Sequence, residues 1–140
     1  MTASSVASPP LAEEILKACL ADAPVRLTVT GECLSPCLRE GDKVVLQGRS
    51  RRAPRFGDVV LCAPGGRLRL HRLVWSPPWG PWRTKGDRTP SWDARIRPED
   101  VLATVVAVDD RGEDRPLPPR RLRAVRSLAA ALLNRVLPAA

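Results

Sequence analysis

The chain has 140 residues, 44% of them apolar, and a formal net charge of +8 at pH 7. This length and apolar content fit one domain with a modest core and argue against wholesale disorder. No apolar run approaches the roughly 18–20 residues of a membrane-spanning helix, and the N-terminus lacks the pattern of a secretory signal. These observations predict a cytoplasmic protein whose four cysteines are thiols.

The N-terminal region divides into a tail and a helix. Residues 1–10 are rich in Ser, Ala and Pro, and we expect them to form a disordered tail. Apolar residues then recur at helical spacing over residues 11–20, with Leu11, Ile15 and Cys19 on one stripe and Leu16 and Leu20 beside it. The sequence therefore predicts one helix ahead of the first strand.

Short apolar runs separated by Gly, Pro and Asp predict the strands that follow. They cover residues 25–30, 43–47, 59–63, 67–74 and 101–108. Residues 120–137 again repeat apolar positions at helical spacing and predict a second helix. The pattern predicts a mainly β domain over residues 11–119, including the first helix, and a basic amphipathic helical segment over residues 120–140.

Arginine supplies nearly all of the positive charge, and such a balance favours acidic partners: nucleic acid, anionic lipid or an acidic peptide. Basic clusters occur at 49–52 and 120–123, and elsewhere the cations are spread along the chain. We therefore expect a compositional bias rather than one binding surface. The C-terminal helix is expected to pack on the sheet or to contact an anionic membrane surface or a protein partner.

Two residues suit nucleophilic catalysis. Cys33 lies in a turn bounded by Gly31 and Pro36, and His71, the only histidine, lies in the strand over 67–74. An imidazole can take the thiol proton, and the resulting thiolate is the attacking species. Whether the two side chains meet depends on the fold.

Four short motifs occur in order along the chain. They are Gly31-Glu32-Cys33-Leu34-Ser35-Pro36-Cys37-Leu38 with Gly41-Asp42, then Gly57-Asp58-Val59-Val60, then His71-Arg72-Leu73-Val74, and finally Thr84-Lys85-Gly86-Asp87 with Asp93 beyond it. Together they resemble the motifs of signal peptidase I and its relatives, which include the self-cleaving LexA-type repressors. The resemblance implies a LexA/signal-peptidase-like coiled β fold in which the first motif carries the nucleophile and the histidine strand carries the base.

The chain departs from this family at the nucleophile. The serine of the family corresponds to Cys33, and its methionine corresponds to Leu34. The base is lysine in typical bacterial signal peptidases but histidine in the archaeal and endoplasmic-reticulum type, which His71 resembles. Thiol and imidazole have reference pKa values of about 8.5 and 6.5, closer than serine has with either base, so the exchange is chemically coherent.

The resemblance also implies residues around this pair. An acid that follows the Lys-Gly-Asp motif should orient the imidazole, and both Asp87 and Asp93 are candidates, each with a turn-forming role as the alternative. Backbone N–H groups near Cys33 would form the oxyanion hole. Substrate contacts are expected at Leu34, Ser35 and Pro36.

The other cysteines leave alternatives open. Cys33, Cys37 and His71 are candidate zinc ligands, but no second Cys or His pair completes a tetrahedral site, so no metal and no cofactor are expected. Cys37 is interpreted as a packing residue or a resolving thiol. Cys19 and Cys62 lie in apolar surroundings and are predicted to fill the core.

The sequence thus predicts a signal-peptidase-like endopeptidase that cleaves a peptide or protein precursor through Cys33 and His71. The alternative is a catalytically inactive scaffold that binds a peptide or protein partner. Nucleic-acid binding is not expected, because basic charge is its only support. LexA-type relatives bind DNA through a separate helix-turn-helix domain, and the residues before Cys33 predict a single helix.

Overall fold

The computed structural model describes residues 6–7, 10–35, 37–117 and 120–136, with side chains for residues 13–35, 37–117 and 125–133. Within these ranges the chain forms eight β-strands and two α-helices, so the architecture is mainly β. In chain order the elements are β1 (Val6–Ala7), α1 (Pro10–Asp22), β2 (Val25–Thr28), β3 (Lys43–Gly48), β4 (Val59–Cys62), β5 (Arg67–Trp75), β6 (Arg83–Lys85), β7 (Val101–Asp110), β8 (Glu113–Arg115) and α2 (Arg120–Val136).

The strands pair in antiparallel fashion around the nine-residue strand β5. Their order is β1-β5-β4-β7-β3-β2, with β6 also paired to β5 and β8 to β7. Arg72 pairs with Val59 of β4 on one edge and with Lys85 of β6 on the other. Strand β5 therefore connects the sheet to the segment that follows β6.

The two faces of β5 contact different apolar clusters. Leu68 and Leu70 belong to the larger core, to which α1 contributes Leu16 and Leu20. Leu73 belongs to a smaller cluster on the other face. The remaining members of that cluster are Val60, Cys62, Ile96 and Val101, with Trp82 packed against them. Because side chains alternate along a strand, every second residue of β5 after Arg67 faces the smaller cluster.

The sequence-based prediction of a mainly β domain with a helix near each end is confirmed. The predicted tail differs at Val6–Ala7, which pairs with Leu68 and Arg67 of β5. A strand of two residues is too short to show the alternation of apolar and polar residues from which strands are predicted. The charged strand β8 was also not predicted. The rest of the tail before Pro10, and residues 137–140 of the C-terminal segment, lie outside the described residues.

Helix α1 docks on the core through the Leu16 and Leu20 side of its apolar surface, and not through Ile15 and Cys19. Ile15 is 54% exposed and Cys19 is exposed, whereas Leu16 and Leu20 are buried. The prediction that Cys19 fills the core is therefore wrong. Gly48 of β3 allows Leu20 of α1 to lie close to the sheet, because a Cβ at position 48 would lie only 3.0 Å from the carbonyl oxygen of Leu20.

In the described part of the chain, neither helix combines the length and the apolar character that crossing a bilayer requires.

Truncation of one residue on each stripe of α1 tests this docking. We expect Leu20→Ala to lower the free energy of unfolding by about 2–5 kcal/mol, because it empties a buried site. Ile15→Ala should change it by no more than about 0.5 kcal/mol, because that side chain is half exposed. Urea denaturation measures both, and equal costs or the reverse order would contradict the docking of α1.

Candidate functional site

His71 contacts a carboxylate on the face of β5 that carries the smaller cluster. The imidazole is 5% exposed, and its Nδ1 lies 2.6 Å from Oδ2 of Asp93. Among the described residues, Nε2 has no hydrogen-bond partner. An Nδ1–H that donates to Asp93 selects the tautomer in which Nε2 can accept a proton.

Asp93 is held in place from β6. The Thr84 hydroxyl donates to Oδ2 of Asp93 at 2.7 Å, and the Asp93 N–H donates to the Thr84 carbonyl at 2.8 Å. Arg83 donates from Nη1 to the Asp93 carbonyl at 3.0 Å, and its guanidinium stacks 4.5 Å from the ring centre of Trp92. The carboxylate therefore has both a fixed backbone and a fixed side chain.

The electrostatic surroundings favour the ionised form of Asp93. Burial by itself raises the pKa of this carboxyl, but the hydrogen bonds from His71 and Thr84 and the charges of His71 and Arg69 outweigh it. The net pKa lies below its ordinary value of 3.8. The positive charge of Arg69, two residues before His71, also lowers the pKa of Asp93, because its Nε lies 3.5 Å from Oδ2 of Asp93. A carboxylate that stays ionised can stabilise an imidazolium as it forms.

The turn that carries Cys33 is docked against the segment after β6. Gly31 enters the turn with a φ of +83°, which only glycine adopts without strain. The Cys33 carbonyl accepts a hydrogen bond from the Arg88 N–H at 2.9 Å. A Cβ on Gly86 would lie 3.1 Å from both the Cβ and the carbonyl oxygen of Cys33. The close approach of Cys33 therefore disfavours any side chain at position 86.

The strand register brings this turn close to His71. Arg72, the residue after His71, pairs with Lys85, the residue before Gly86. Because a Cβ on Gly86 would lie 3.1 Å from the Cβ of Cys33, the turn lies beside the end of this pairing. Among the described residues, the Cys33 thiol is not hydrogen-bonded to His71.

Asp87, the other candidate acid, binds an arginine on the opposite face. Arg72 donates from Nε to Oδ1 at 2.8 Å and from Nη2 to Oδ2 at 2.9 Å, and its Nη1 donates to the Gly57 carbonyl at 2.8 Å. Burial alone lowers the pKa of Arg72, but Asp87 and the nearby Cys37 raise it above its ordinary value. Asp87 therefore pairs with Arg72, and Asp93 is the acid that touches the imidazole.

The expected substrate contacts at Leu34, Ser35 and Pro36 need correction. Leu34 is 1% exposed and belongs to the larger core, so its side chain anchors the turn and does not line a surface groove. Ser35 is half-buried, and its N–H donates to the Glu32 carbonyl at 3.1 Å. Pro36 lies outside the described residues.

The remaining cysteines near the site differ in their surroundings. Cys37 packs against the larger core and lies beside the Arg72 guanidinium. Cys62 is fully buried, as predicted, and burial raises the pKa of its thiol to about 11. Among the described residues, no three His, Cys, Asp or Glu side chains are grouped so that they could hold a metal ion.

The sequence interpretation missed the neighbours that support the site. Arg69 and Thr84 both contact Asp93, and strand alternation from His71 could have placed Arg69 on this face. Lys85 was also missed: it is buried and donates from Nζ to the Ser127 hydroxyl of α2 at 3.0 Å and to the Gly86 carbonyl at 3.1 Å. Burial lowers the pKa of Lys85 below its ordinary value, although the negative charges of Asp87 and Asp93 raise it. This contact ties α2 to the segment that carries Gly86.

Comparisons with protein-family models, with curated proteins and with solved structures found no significant match. The function of the chain is therefore inferred from the geometry of this site.

Replacement of Gly86 tests the docking of the Cys33 turn. We expect Gly86→Ala to displace Cys33 from His71, because the new methyl group would meet both the Cβ and the carbonyl oxygen of Cys33. The variant should alter the rate at which a small electrophile labels Cys33, measured cysteine by cysteine by mass spectrometry. Labelling of the distant, exposed Cys19 is the control. An unchanged Cys33 rate would show that the approach of the two segments is looser than described.

The pH dependence of stability tests the charge of Asp93. Because the folded-state pKa is lowered, the ionised carboxylate contributes stability that is present at neutral pH and is lost as the pH falls below the ordinary value of 3.8. We therefore expect the difference in unfolding free energy between the native chain and Asp93→Asn to be largest near neutral pH and to shrink in acid. Urea denaturation across this range measures it, with the exposed Ser91→Ala as control. A difference that grows in acid would contradict the assignment.

Proposed function

We propose that the chain is an endopeptidase in which Cys33 is the nucleophile, His71 the general base and Asp93 the group that orients His71. The observation that supports this most strongly is the 2.6 Å contact between Nδ1 of His71 and Oδ2 of Asp93, near the Gly86 segment against which Cys33 packs. A nucleophile, a base and an orienting acid in this order are the elements of acyl-transfer catalysis.

Each residue has a defined role in the proposed reaction. His71 accepts the thiol proton of Cys33 at Nε2, and the thiolate attacks the carbonyl carbon of a peptide bond. Asp93 stabilises the resulting imidazolium, and backbone N–H groups of the Cys33 turn stabilise the oxyanion. His71 then protonates the departing amine. Water hydrolyses the thioester that remains on Cys33, and the free thiol is regenerated.

The fold is proposed to be the coiled β fold of the signal peptidase I and LexA-type superfamily. The positions of the motifs support this: the Cys33 turn follows β2, His71 lies on β5, and Asp93 follows β6. The cysteine in place of the family's serine sets the chain apart. Because thiolate is the stronger nucleophile near neutral pH, cysteine with a histidine base preserves the proposed chemistry.

An extended substrate is proposed to lie along the edge of β5 beside His71. On this edge Arg67 and Leu68 pair with β1, and the pairing with β6 begins at Arg72. In the described residues, no strand pairs with the intervening stretch on this edge, which ends at His71. The pairing of Val6–Ala7 supports the idea that this edge accepts a peptide strand, as in other cases of strand addition.

Removal of the nucleophile and of the base tests the proposal. A pool of synthetic peptides with randomised sequence is incubated with the native chain, Cys33→Ala and His71→Ala, and the products are identified by mass spectrometry. We expect cleavage by the native chain, none by Cys33→Ala, and a loss of about 10²–10⁴-fold with His71→Ala. Asp87→Asn is the matched control. It removes the acid that binds Arg72 and not His71, so it shows how much activity is lost when only the fold is weakened.

Labelling with iodoacetamide checks the same assignment without a substrate. Cys33 should react faster than the more exposed Cys19, because His71 accepts its proton, and the buried Cys62 should not react. Absence of cleavage, together with a Cys33 rate no higher than that of Cys19, would exclude the peptidase. Absence of cleavage with retained peptide binding by both the native chain and Cys33→Ala would indicate the inactive scaffold instead.

A further inference from the structure

Positive charge is frequent in the two segments that carry the candidate site. Strand β5 and residues 82–97, which carry His71 and Asp93, contain eight Arg and Lys residues and two carboxylates. Arg72 and Lys85 among them are buried and bind Asp87 and Ser127, so the cations that concern the site are the exposed ones.

Both carboxylates of these segments already have partners. Asp87 is bound by Arg72 in a bidentate pair, and Asp93 is bound by His71 with Arg69 3.5 Å away. The Nε of Arg69 is buried and, among the described residues, has no hydrogen-bond partner. Of the exposed cations in these segments, Arg97 already pairs with Asp100.

Arg88 is an exposed cation whose backbone binds the Cys33 turn. Its N–H binds the Cys33 carbonyl at 2.9 Å, and its side chain is exposed. In the described part of the chain, neither Arg88 nor the exposed Arg95 forms an ion pair. The Cys33 turn contributes one opposing charge, at the exposed Glu32, against the two cations Arg88 and Arg95.

We propose that the peptide accepted by this site carries acidic side chains close to the bond that is cleaved. This inference rests on the proposed peptidase function and specifies its substrate class. Acidic residues on either side of the scissile bond would lie against Arg88 and Arg95. Arginine suits this task because its guanidinium can form two parallel hydrogen bonds to one carboxylate.

A peptide fits these observations better than a nucleic acid. The charges surround a Cys–His–Asp group suited to acyl transfer, and the adjacent edge of β5 already pairs with an extended segment of this chain. A peptide paired with this edge would end beside His71, where the pairing with β6 begins, with its backbone hydrogen-bonded. Its acidic side chains would then face the cations from a fixed register.

Paired electrophilic peptides test the inference directly. Two peptides with the same thiol-reactive group are compared, identical except that glutamate residues in one are lysine residues in the other. The second-order rate of Cys33 labelling should be about tenfold or more higher with the acidic peptide at low ionic strength. The ratio should fall as salt is added, because exposed charges are screened. Using the ratio cancels any change in the reactivity of the thiol itself.

Charge reversal locates the effect. Arg88→Glu should lower the acidic-to-basic ratio by several-fold or invert it. Arg111→Glu, with the same change of charge at the β7–β8 turn two strands away from β5, should leave the ratio nearly unchanged. A ratio near one in the native chain, or equal effects of the two variants, would overturn the acidic-substrate inference.

Labelling with iodoacetamide distinguishes a wrong substrate class from a wrong peptidase assignment. If iodoacetamide labels Cys33 selectively but the acidic peptide does not, the peptidase proposal stands and the substrate inference is wrong. If Cys33 reacts with iodoacetamide no faster than Cys19, the peptidase proposal fails as well. Stronger protection of Cys33 by a single-stranded oligonucleotide than by the acidic peptide would assign the surface to nucleic acid and overturn the inference.

Discussion

The buried pair between Arg72 and Asp87 holds together the two segments that build the site. It joins β5 to the turn after β6 through two hydrogen bonds, and a third fixes Arg72 to the Gly57 carbonyl ahead of β4. Removal of one partner from such a buried pair costs about 3–5 kcal/mol, because the other charge is left without compensation. With this turn fixed, Gly86 faces Cys33, and the chain continues to Asp93.

The alternation of β5 separates structural from chemical roles at adjacent positions. Arg72 projects toward the larger core, while His71 projects to the other face and meets Asp93. Lys85 repeats this arrangement on β6, because its ammonium binds Ser127 of α2, whereas the neighbouring Thr84 binds Asp93. The charges that stabilise the fold and the groups proposed for catalysis thus lie on opposite sides of the same two strands.

Much of this organisation could be predicted from the sequence, because it depends on local patterns. Alternation and turn residues located the main strands, and the turn around Cys33 and the single histidine identified the proposed nucleophile and base. The sequence could not distinguish Asp87 from Asp93 as the partner of His71, since both follow the same short strand. Their partners depend on the face of β5 toward which each side chain projects. Leu34 was assigned to the substrate for a similar reason: only the docking of the turn places it in the core.

The proposal depends on proximity between the sulfur of Cys33 and Nε2 of His71, and the single histidine makes this measurable by nitrogen NMR. In ¹⁵N-histidine-labelled protein, Nδ1 should carry the proton that binds Asp93, and Asp93→Asn should shift its resonance. Replacement of Cys33 by alanine should shift the Nε2 resonance, whereas Cys19→Ala should not. If Cys33→Ala leaves both ring nitrogens unchanged, the thiol does not come close enough to the imidazole to exchange a proton, and the account of Cys33 and His71 as a catalytic pair is wrong.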